Sequence, residues 1–130
     1  MMVNSISQTS KVQVNNSNES LAQQLADLIK EYRAHMNDQN PTQELAIMQK
    51  LSAFIATNKA AIENLCFDNG HGANSPDWTQ HYEAFIASAQ KTYQNALEFH
   101  RAHPNEPLPN GVTIFFNDMA TQIHFLMTSK

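Results

Sequence analysis

Between residues 75 and 103, apolar side chains recur every three or four positions, and this spacing constrains the fold more than any other feature. It places those side chains along one face of an α-helix, whereas a half-buried strand alternates every second residue. Ser75-Pro76 provides a helix start, because proline is well tolerated at the first helical position, and His103-Pro104 provides an end. The sequence therefore predicts one long amphipathic helix. Its apolar stripe comprises Trp78, Tyr82, Phe85, Ile86, Ala89, Tyr93, Ala96, Leu97 and His100.

Three further segments carry the same helical period. The first begins at Ser20, with Gln23 in the position of a capping box, and ends within residues 37–40. The second begins at Asn40-Pro41 and continues to Phe67, but polar residues 57–59 interrupt its stripe, so a break into two helices is open there. The last runs from residue 112 to residue 126. Short loops between these helices predict an all-α fold: an antiparallel four-helix bundle, or five helices if the second one breaks.

Residues 1–18 differ in composition from the rest of the chain. Ser, Asn, Gln and Thr dominate, and Lys11 is the only charged residue among them. Such a segment buries too little apolar surface to offset the entropy of ordering it, which predicts a disordered tail followed by a single helical domain over residues 19–130. In composition, the tail resembles the N-terminal export segments of bacterial type III secretion substrates. That resemblance implies export without signal-peptide cleavage; the alternative is a terminus without a function of its own.

Charge and motifs exclude several classes of function. The chain has 8 Lys and Arg against 12 Asp and Glu, a formal net charge of −4, so it lacks the basic stripe of a nucleic-acid-binding protein. HExxH, GxSxG, GxGxxG, GxxxxGK[ST] and Glu-x-x-His are all absent. Cys66 falls on an apolar stripe, where a buried inert thiol is common. We therefore expect no catalytic residues and no cofactor. We also expect no membrane span, because no stretch approaches the roughly 18 apolar residues needed to cross a bilayer.

Six histidines raise the question of a metal site. His100 and His103 are three residues apart, and Asp77 and His81 are four apart, so each pair would share one side of a helix. Two ligands do not make a selective site, and the others would have to come from other helices. The sequence therefore predicts no metal ligands, and a metal- or small-ligand-binding bundle is the alternative of another class.

The last predicted helix is apolar on two sides. One stripe is assigned to the core: Val112, Phe116, Met119, Ile123 and Leu126. Ile114 and Phe125 lie on another side and, with Phe115, are the candidate protein-interaction residues. Such a helix is either the buried centre of its bundle or half of an interface, and the sequence leaves both open.

These features predict a non-catalytic protein-interaction module that binds a protein partner, or a second copy of itself, through its last helix. In one version it is a bacterial secreted effector or secretion-associated protein, made in the cytoplasm and exported with its N-terminal segment intact. In the other it remains in the cytoplasm as an adaptor, a chaperone or an immunity-like partner. The sharp boundary between the tail and the first helix favours the first version.

Overall fold

The computed structural model describes residues 18–71 and 76–129. The described part contains five α-helices and no strand: α1 (Asn18–His35), α2 (Thr42–Thr57), α3 (Lys59–Asp68), α4 (Pro76–Ala102) and α5 (Asn110–Thr128). The predicted all-α fold is confirmed. The predicted disordered tail, apart from its last residue, lies outside the described residues, as do the side chains of Asp77 and Trp78.

The second predicted helix is broken at Asn58, between α2 and α3. Asn58 has φ −102° and ψ 23°, and its side-chain amide donates a 3.0 Å hydrogen bond to the carbonyl oxygen of Phe54. Asparagine competes in this way for backbone groups, which favours helix ends over helix interiors. The backbone N–H of Ile62 then donates to the Asn58 carbonyl at 2.9 Å and starts α3. The break predicted as an option at residues 57–59 is thus confirmed, and it lets α3 pack against α5 while α4 packs against α2.

Helices α2 and α4 run antiparallel, as predicted. At one end of the α2–α4 pair, the hydroxyl of Tyr82 donates to the carbonyl of Ile55 at 2.8 Å. At the other end, Gln39 donates to the carbonyl of Asn105 at 2.6 Å. The beginning of α4 therefore lies beside the end of α2. Helix α1 packs against both α2 and α5.

Helix ends follow local chemistry. Helix α1 ends where Asn37 adopts φ 66°, a left-handed conformation that asparagine tolerates better than most residues. The side chain of Asn40 accepts a 3.1 Å hydrogen bond from the backbone N–H of Thr42, which begins α2 one residue later than the proline signal predicts. Helix α4 has the predicted bounds. Across residues 18–71 and 76–129, no helix combines the length and the apolar character that crossing a membrane requires.

All five helices contribute to one buried cluster, whose largest apolar members are Leu25, Tyr32, Met48, Leu51, Ile55, Ile62, Tyr82, Phe116 and Ile123. On α5 the core stripe is confirmed, since Phe116, Met119, Ile123 and Leu126 are buried. Among the described side chains of α4 the deepest large one is Tyr82, whereas Phe85 is only half-buried against the cluster.

Candidate protein-interaction surface

Helix α5 exposes two large apolar side chains on the side opposite its core stripe. Ile114 is 56% exposed and Phe125 is 53% exposed, and they are the exposed large hydrophobic residues among the described side chains. They are separated by about three helical turns, or roughly 16 Å, and therefore lie on the same face. The structure thus exposes both candidate interaction residues to solvent, whereas the sequence alone did not decide whether they are buried or exposed.

Phe115, the third candidate, belongs partly to the core. It is half-buried, packs against the buried cluster and meets the ring of Phe116 edge-on, with ring centroids 5.5 Å apart. Its exposed part lies beside the face that carries Ile114. Phe115 therefore flanks the exposed surface without forming its centre.

Polar side chains separate the two exposed apolar residues. Asp118, Thr121 and Gln122 lie between them along the helix, and all three are exposed. With Asn117 and Phe125 they line a shallow groove of about 520 Å³. We call the set Ile114, Asp118, Thr121, Gln122 and Phe125 the α5 face. It has the composition of a small interface, apolar at both ends and polar in the middle.

One edge of the α5 face continues onto α1 through Arg33. The guanidinium of Arg33 donates to Asn117 Oδ1 at 2.8 Å and to Thr121 Oγ1 at 2.9 Å. A second shallow groove, of about 290 Å³, runs between the two helices and is lined by Ala26, Ile29, Lys30, Arg33, Thr121 and His124. The exposed surface is therefore wider than one helix, and its α1 edge is basic.

The carboxyl end of α5 is held by the turn that follows α3. Asn69 donates from its side-chain amide to the carbonyls of Leu126 and Met127, at 3.2 and 2.7 Å. His71 donates from Nε2 to the carbonyl of Ser129, and its ring lies 6.2 Å from the ring of Phe125. The two hydrogen bonds from Asn69 satisfy carbonyls in the last turn of α5, which have no partner within the helix. Together with the contacts of His71, they also position Phe125.

The amino end of α5 is held by a buried carboxylate. Glu44, in the first turn of α2, is fully buried, and its Oε2 accepts 2.8 Å hydrogen bonds from the hydroxyls of Tyr32 and Thr113. Thr113 precedes Ile114 in the first turn of α5. Burial and the hydrogen bond to the carboxylate both raise the pKa of Tyr32, so its hydroxyl stays protonated and donates. The other oxygen of Glu44, Oε1, has no hydrogen-bond partner within the described part of the chain.

Sequence reasoning missed Glu44, Asn69 and His71. A glutamate in the first turn of a helix is normally a solvated charge favoured by the helix dipole, and nothing in the sequence around Glu44 indicates burial. Asn69 and His71 lie in a glycine-containing turn, where polar residues are expected whatever their contacts. Their partners are more than 50 residues away in sequence.

The alternative prediction was a metal-binding bundle, and the described side chains do not form a metal centre. Among them, no group of three or more His, Cys, Asp or Glu residues lies close enough to hold an ion. His103 stacks on Phe99, with ring centroids 4.5 Å apart, and its Nδ1 lies 3.1 Å from Glu106 Oε2. The side chain of Asp77, half of the other predicted pair, lies outside the described residues.

Cys66 is buried, as its place on an apolar stripe predicts. Loss of hydration raises the pKa of the thiol to about 11, and the nearby carboxylate of Glu63 adds to the rise. Because the thiolate is the nucleophilic form, Cys66 is unreactive at neutral pH.

Another groove on the described surface lies between α1 and α2. It measures about 590 Å³ and is lined by Gln24, Asp27, Leu28, Lys30, Glu31, Ala34 and Phe54. Leu28 and Phe54 provide an apolar floor, while charges of both signs stand at the rim. Small-molecule sites usually enclose most of the ligand, whereas this groove is open to solvent.

Comparison with protein-family models, with curated proteins and with solved structures finds no match to this chain.

Proposed function

We propose that this protein is a non-catalytic protein-binding module and that the α5 face is its docking surface. The observation that carries the proposal is the exposure of Ile114 and Phe125 on a helix whose opposite side is buried. Both residues are more than half exposed, on one face, with exposed polar side chains between them.

The chemistry of the surface suits a protein partner. Aromatic residues and arginine are enriched in protein–protein interfaces, and the surface offers Phe125 and Arg33. Burial of the exposed part of each large apolar side chain contributes on the order of 1 kcal/mol to association. The polar groups between them supply hydrogen bonds that fix orientation.

The surface is also held in place before any partner binds. The Glu44–Thr113 hydrogen bond fixes the first turn of α5, and the hydrogen bonds from Asn69 fix its last turn. A preorganised surface loses less conformational entropy on association, so more of the contact energy contributes to affinity.

A pair of matched variants tests the proposal. Replacing Ile114 and Phe125 together with serine removes the apolar groups of the α5 face. Replacing Ala84 and Ala87 with serine makes two exposed changes on α4 and serves as the control. Each purified protein is used as bait for extracts of its source cells, and captured proteins are quantified by mass spectrometry. We expect proteins retained by the unmodified chain and the control to be lost from the α5 variant; identical capture by all three would contradict the proposal.

The composition of residues 1–18 leads us to propose further that the module is exported. Because Asn18 begins α1, the test fuses residues 1–17 to a reporter in a bacterium with a type III secretion apparatus and, in parallel, deletes them from the full chain. We expect the fusion to reach the medium and the deletion to abolish secretion without lowering expression. If the fusion stays in the cell, the cytoplasmic adaptor, chaperone or immunity-like version replaces the exported one.

A further inference from the structure

We propose that Asn69-Gly70 is a site of spontaneous deamidation, and that conversion of Asn69 to aspartate or isoaspartate releases the carboxyl end of α5. Three features of the turn after α3 carry this proposal: the two residue types, the hydrogen bonds that Asn69 donates to α5, and the exposure of Gly70 to solvent. Neither the reaction nor its effect on α5 requires a binding partner, so the proposal goes beyond the docking function.

The end of α3 has a structural use for both residues. Gly70 has φ 88°, in the left-handed region that favours glycine. Its backbone N–H donates to the carbonyl of Phe67 at 2.9 Å, and the backbone N–H of His71 donates to the carbonyl of Cys66 at 2.8 Å. These two bonds form a Schellman motif, in which glycine directly follows the C-cap residue, here Asn69.

The same pair of residues is chemically labile. Asparagine is a labile side chain, and glycine has no Cβ to shield its nitrogen from the side chain before it. The Gly70 nitrogen loses its proton to a solvent base and attacks Cγ of Asn69, which closes a succinimide ring. The Cγ–Nδ2 bond breaks and ammonia leaves. Water then opens the ring at either carbonyl and gives aspartate or isoaspartate at position 69, so the overall reaction consumes water and releases ammonia.

The folded state holds the reacting groups apart. Asn69 has ψ 3°, which turns the Gly70 nitrogen away from the Asn69 side chain, whereas ring closure requires the two to be nearly eclipsed. The side-chain amide is held by the carbonyls of Leu126 and Met127, and the Gly70 N–H is held by Phe67. The turn must therefore open locally before it reacts. Loss of two hydrogen bonds of ordinary strength corresponds to a slowing of about ten- to a hundredfold relative to the unfolded chain.

Conversion prevents the contact with α5 from forming again. The side-chain nitrogen that lies 3.2 Å from the Leu126 carbonyl and 2.7 Å from the Met127 carbonyl is replaced by a carboxylate oxygen, which cannot donate and repels both. The two carbonyls lose their partner at the end of the helix. Phe125 directly precedes them, so the reaction also loosens one apolar end of the α5 face.

The chain contains a second Asn-Gly pair that serves as an internal control. Asn110-Gly111 begins α5, and both residues are exposed. The same reaction there places its new negative charge at the amino end of the helix, where the helix dipole favours it. Asn110→Asp is therefore matched to Asn69→Asp in chemistry and in charge, but lies at the opposite end of the same helix.

The first experiment follows the reaction in the full chain. The protein is incubated in its folded state at neutral and at mildly alkaline pH, and in parallel in denaturing guanidinium chloride. Mass spectrometry of proteolytic peptides measures conversion at Asn69 and Asn110 separately, and enzymatic methylation detects isoaspartate. We expect Asn69 to convert in the folded chain, faster at the higher pH, but about ten- to a hundredfold more slowly than in denaturant.

Two results of this experiment would overturn the proposal. Equal rates at Asn69 in the folded and denatured chains would show that α5 does not hold its side chain. An Asn69 that stays intact in the folded chain for much longer than about a hundred times the period needed in denaturant would show that the turn does not open to react.

The second experiment measures the effect on α5 by hydrogen exchange. Asn69→Asp introduces the product of the reaction, and Asn69→Ala removes the donor without adding charge. We expect exchange of the backbone amides of residues 126–129 to accelerate at least about tenfold in Asn69→Asp, to accelerate less in Asn69→Ala, and to stay unchanged in Asn110→Asp.

Chain that has deamidated during incubation provides a second route to the same measurement, which does not depend on the folding of a variant. Its additional negative charge separates it from the unmodified chain by anion exchange, and its hydrogen exchange is measured in the same way. Unchanged exchange at residues 126–129 in the chain converted at Asn69 would overturn the proposal, as would equal acceleration in Asn69→Asp and Asn110→Asp.

Discussion

The hydroxyl of Thr113 donates a 2.8 Å hydrogen bond to the carboxylate of Glu44, which joins the first turn of α5 to the first turn of α2. Glu44 is fully buried, and its described partners are the neutral hydroxyls of Thr113 and Tyr32. A buried carboxylate without a cation is costly unless it is hydrogen-bonded. The orientation of Ile114, the next residue along α5, therefore depends on a buried polar contact at one end of the bundle.

Truncation of Glu44 is expected to be severely destabilising. Glu44→Ala leaves two buried hydroxyls without an acceptor and opens a cavity, at a cost of about 3 to 4 kcal/mol in the free energy of unfolding. Glu44→Gln keeps the volume and an acceptor oxygen, and should change the free energy by about 1 kcal/mol or less. Urea denaturation measures both. Equal losses for the two variants would show that the negative charge itself, and not the hydrogen bonding, maintains this contact.

Stability should fall in alkaline solution because of Cys66. Its pKa is raised by burial from 9.0 to about 11. Above pH 9 the unfolded chain loses the thiol proton while the folded chain retains it, so rising pH favours unfolding until the folded thiol also ionises near pH 11. Burial also raises the pKa of Tyr82, which extends the decline. We expect the urea midpoint to drop between pH 9 and pH 11 and to drop less in Cys66→Ala; equal slopes would contradict the assignment to Cys66.

Helix α4 should be most sensitive to substitution at Tyr82. Tyr82→Ala removes a fully buried ring and its 2.8 Å hydrogen bond to the Ile55 carbonyl, and should cost about 3 to 5 kcal/mol. Phe85 belongs to the same stripe but is only half-buried, so Phe85→Ala should cost about 1 to 2 kcal/mol. Gln90→Ala, on the exposed side, should be nearly neutral. Urea denaturation measures these changes in the free energy of unfolding. A larger loss for Phe85→Ala than for Tyr82→Ala would show that α4 is rotated about its axis relative to the orientation described above.

The periodic part of the sequence predicts most of this fold. Proline and asparagine at helix starts locate α2 and α4 within one residue, because their effects are local to the backbone. Whether Ile114 and Phe125 face solvent could not be predicted, since that depends on which helices cover α5. The burial of Glu44 could not be predicted either, because it requires Tyr32 and Thr113 to approach from two other helices. The periodicity of a sequence shows on which face of a helix a residue lies. Whether that face is buried depends on which other helices pack against it.

Serine at positions 114 and 125 should leave the bundle intact. Both side chains are more than half exposed, and serine has a helix propensity close to that of isoleucine and phenylalanine. We expect the free energy of unfolding of the Ile114→Ser/Phe125→Ser variant to change by less than about 1 kcal/mol, with unchanged helical circular dichroism. Phe116→Ser, at the buried neighbour, is the contrasting variant and should be strongly destabilised. Comparable losses in both would place Ile114 and Phe125 in the core.

The claim that α5 carries the docking surface is tested most directly by site-specific photo-crosslinking in the source cells. A photoreactive amino acid at Gln122, in the middle of the α5 face, is compared with the same amino acid at Gln90, which is exposed on α4. We expect a discrete covalent adduct from position 122, with a mass that identifies a second copy or another protein, and none from position 90. Failure of position 122 to give any adduct beyond that of position 90 would contradict the assignment of this surface.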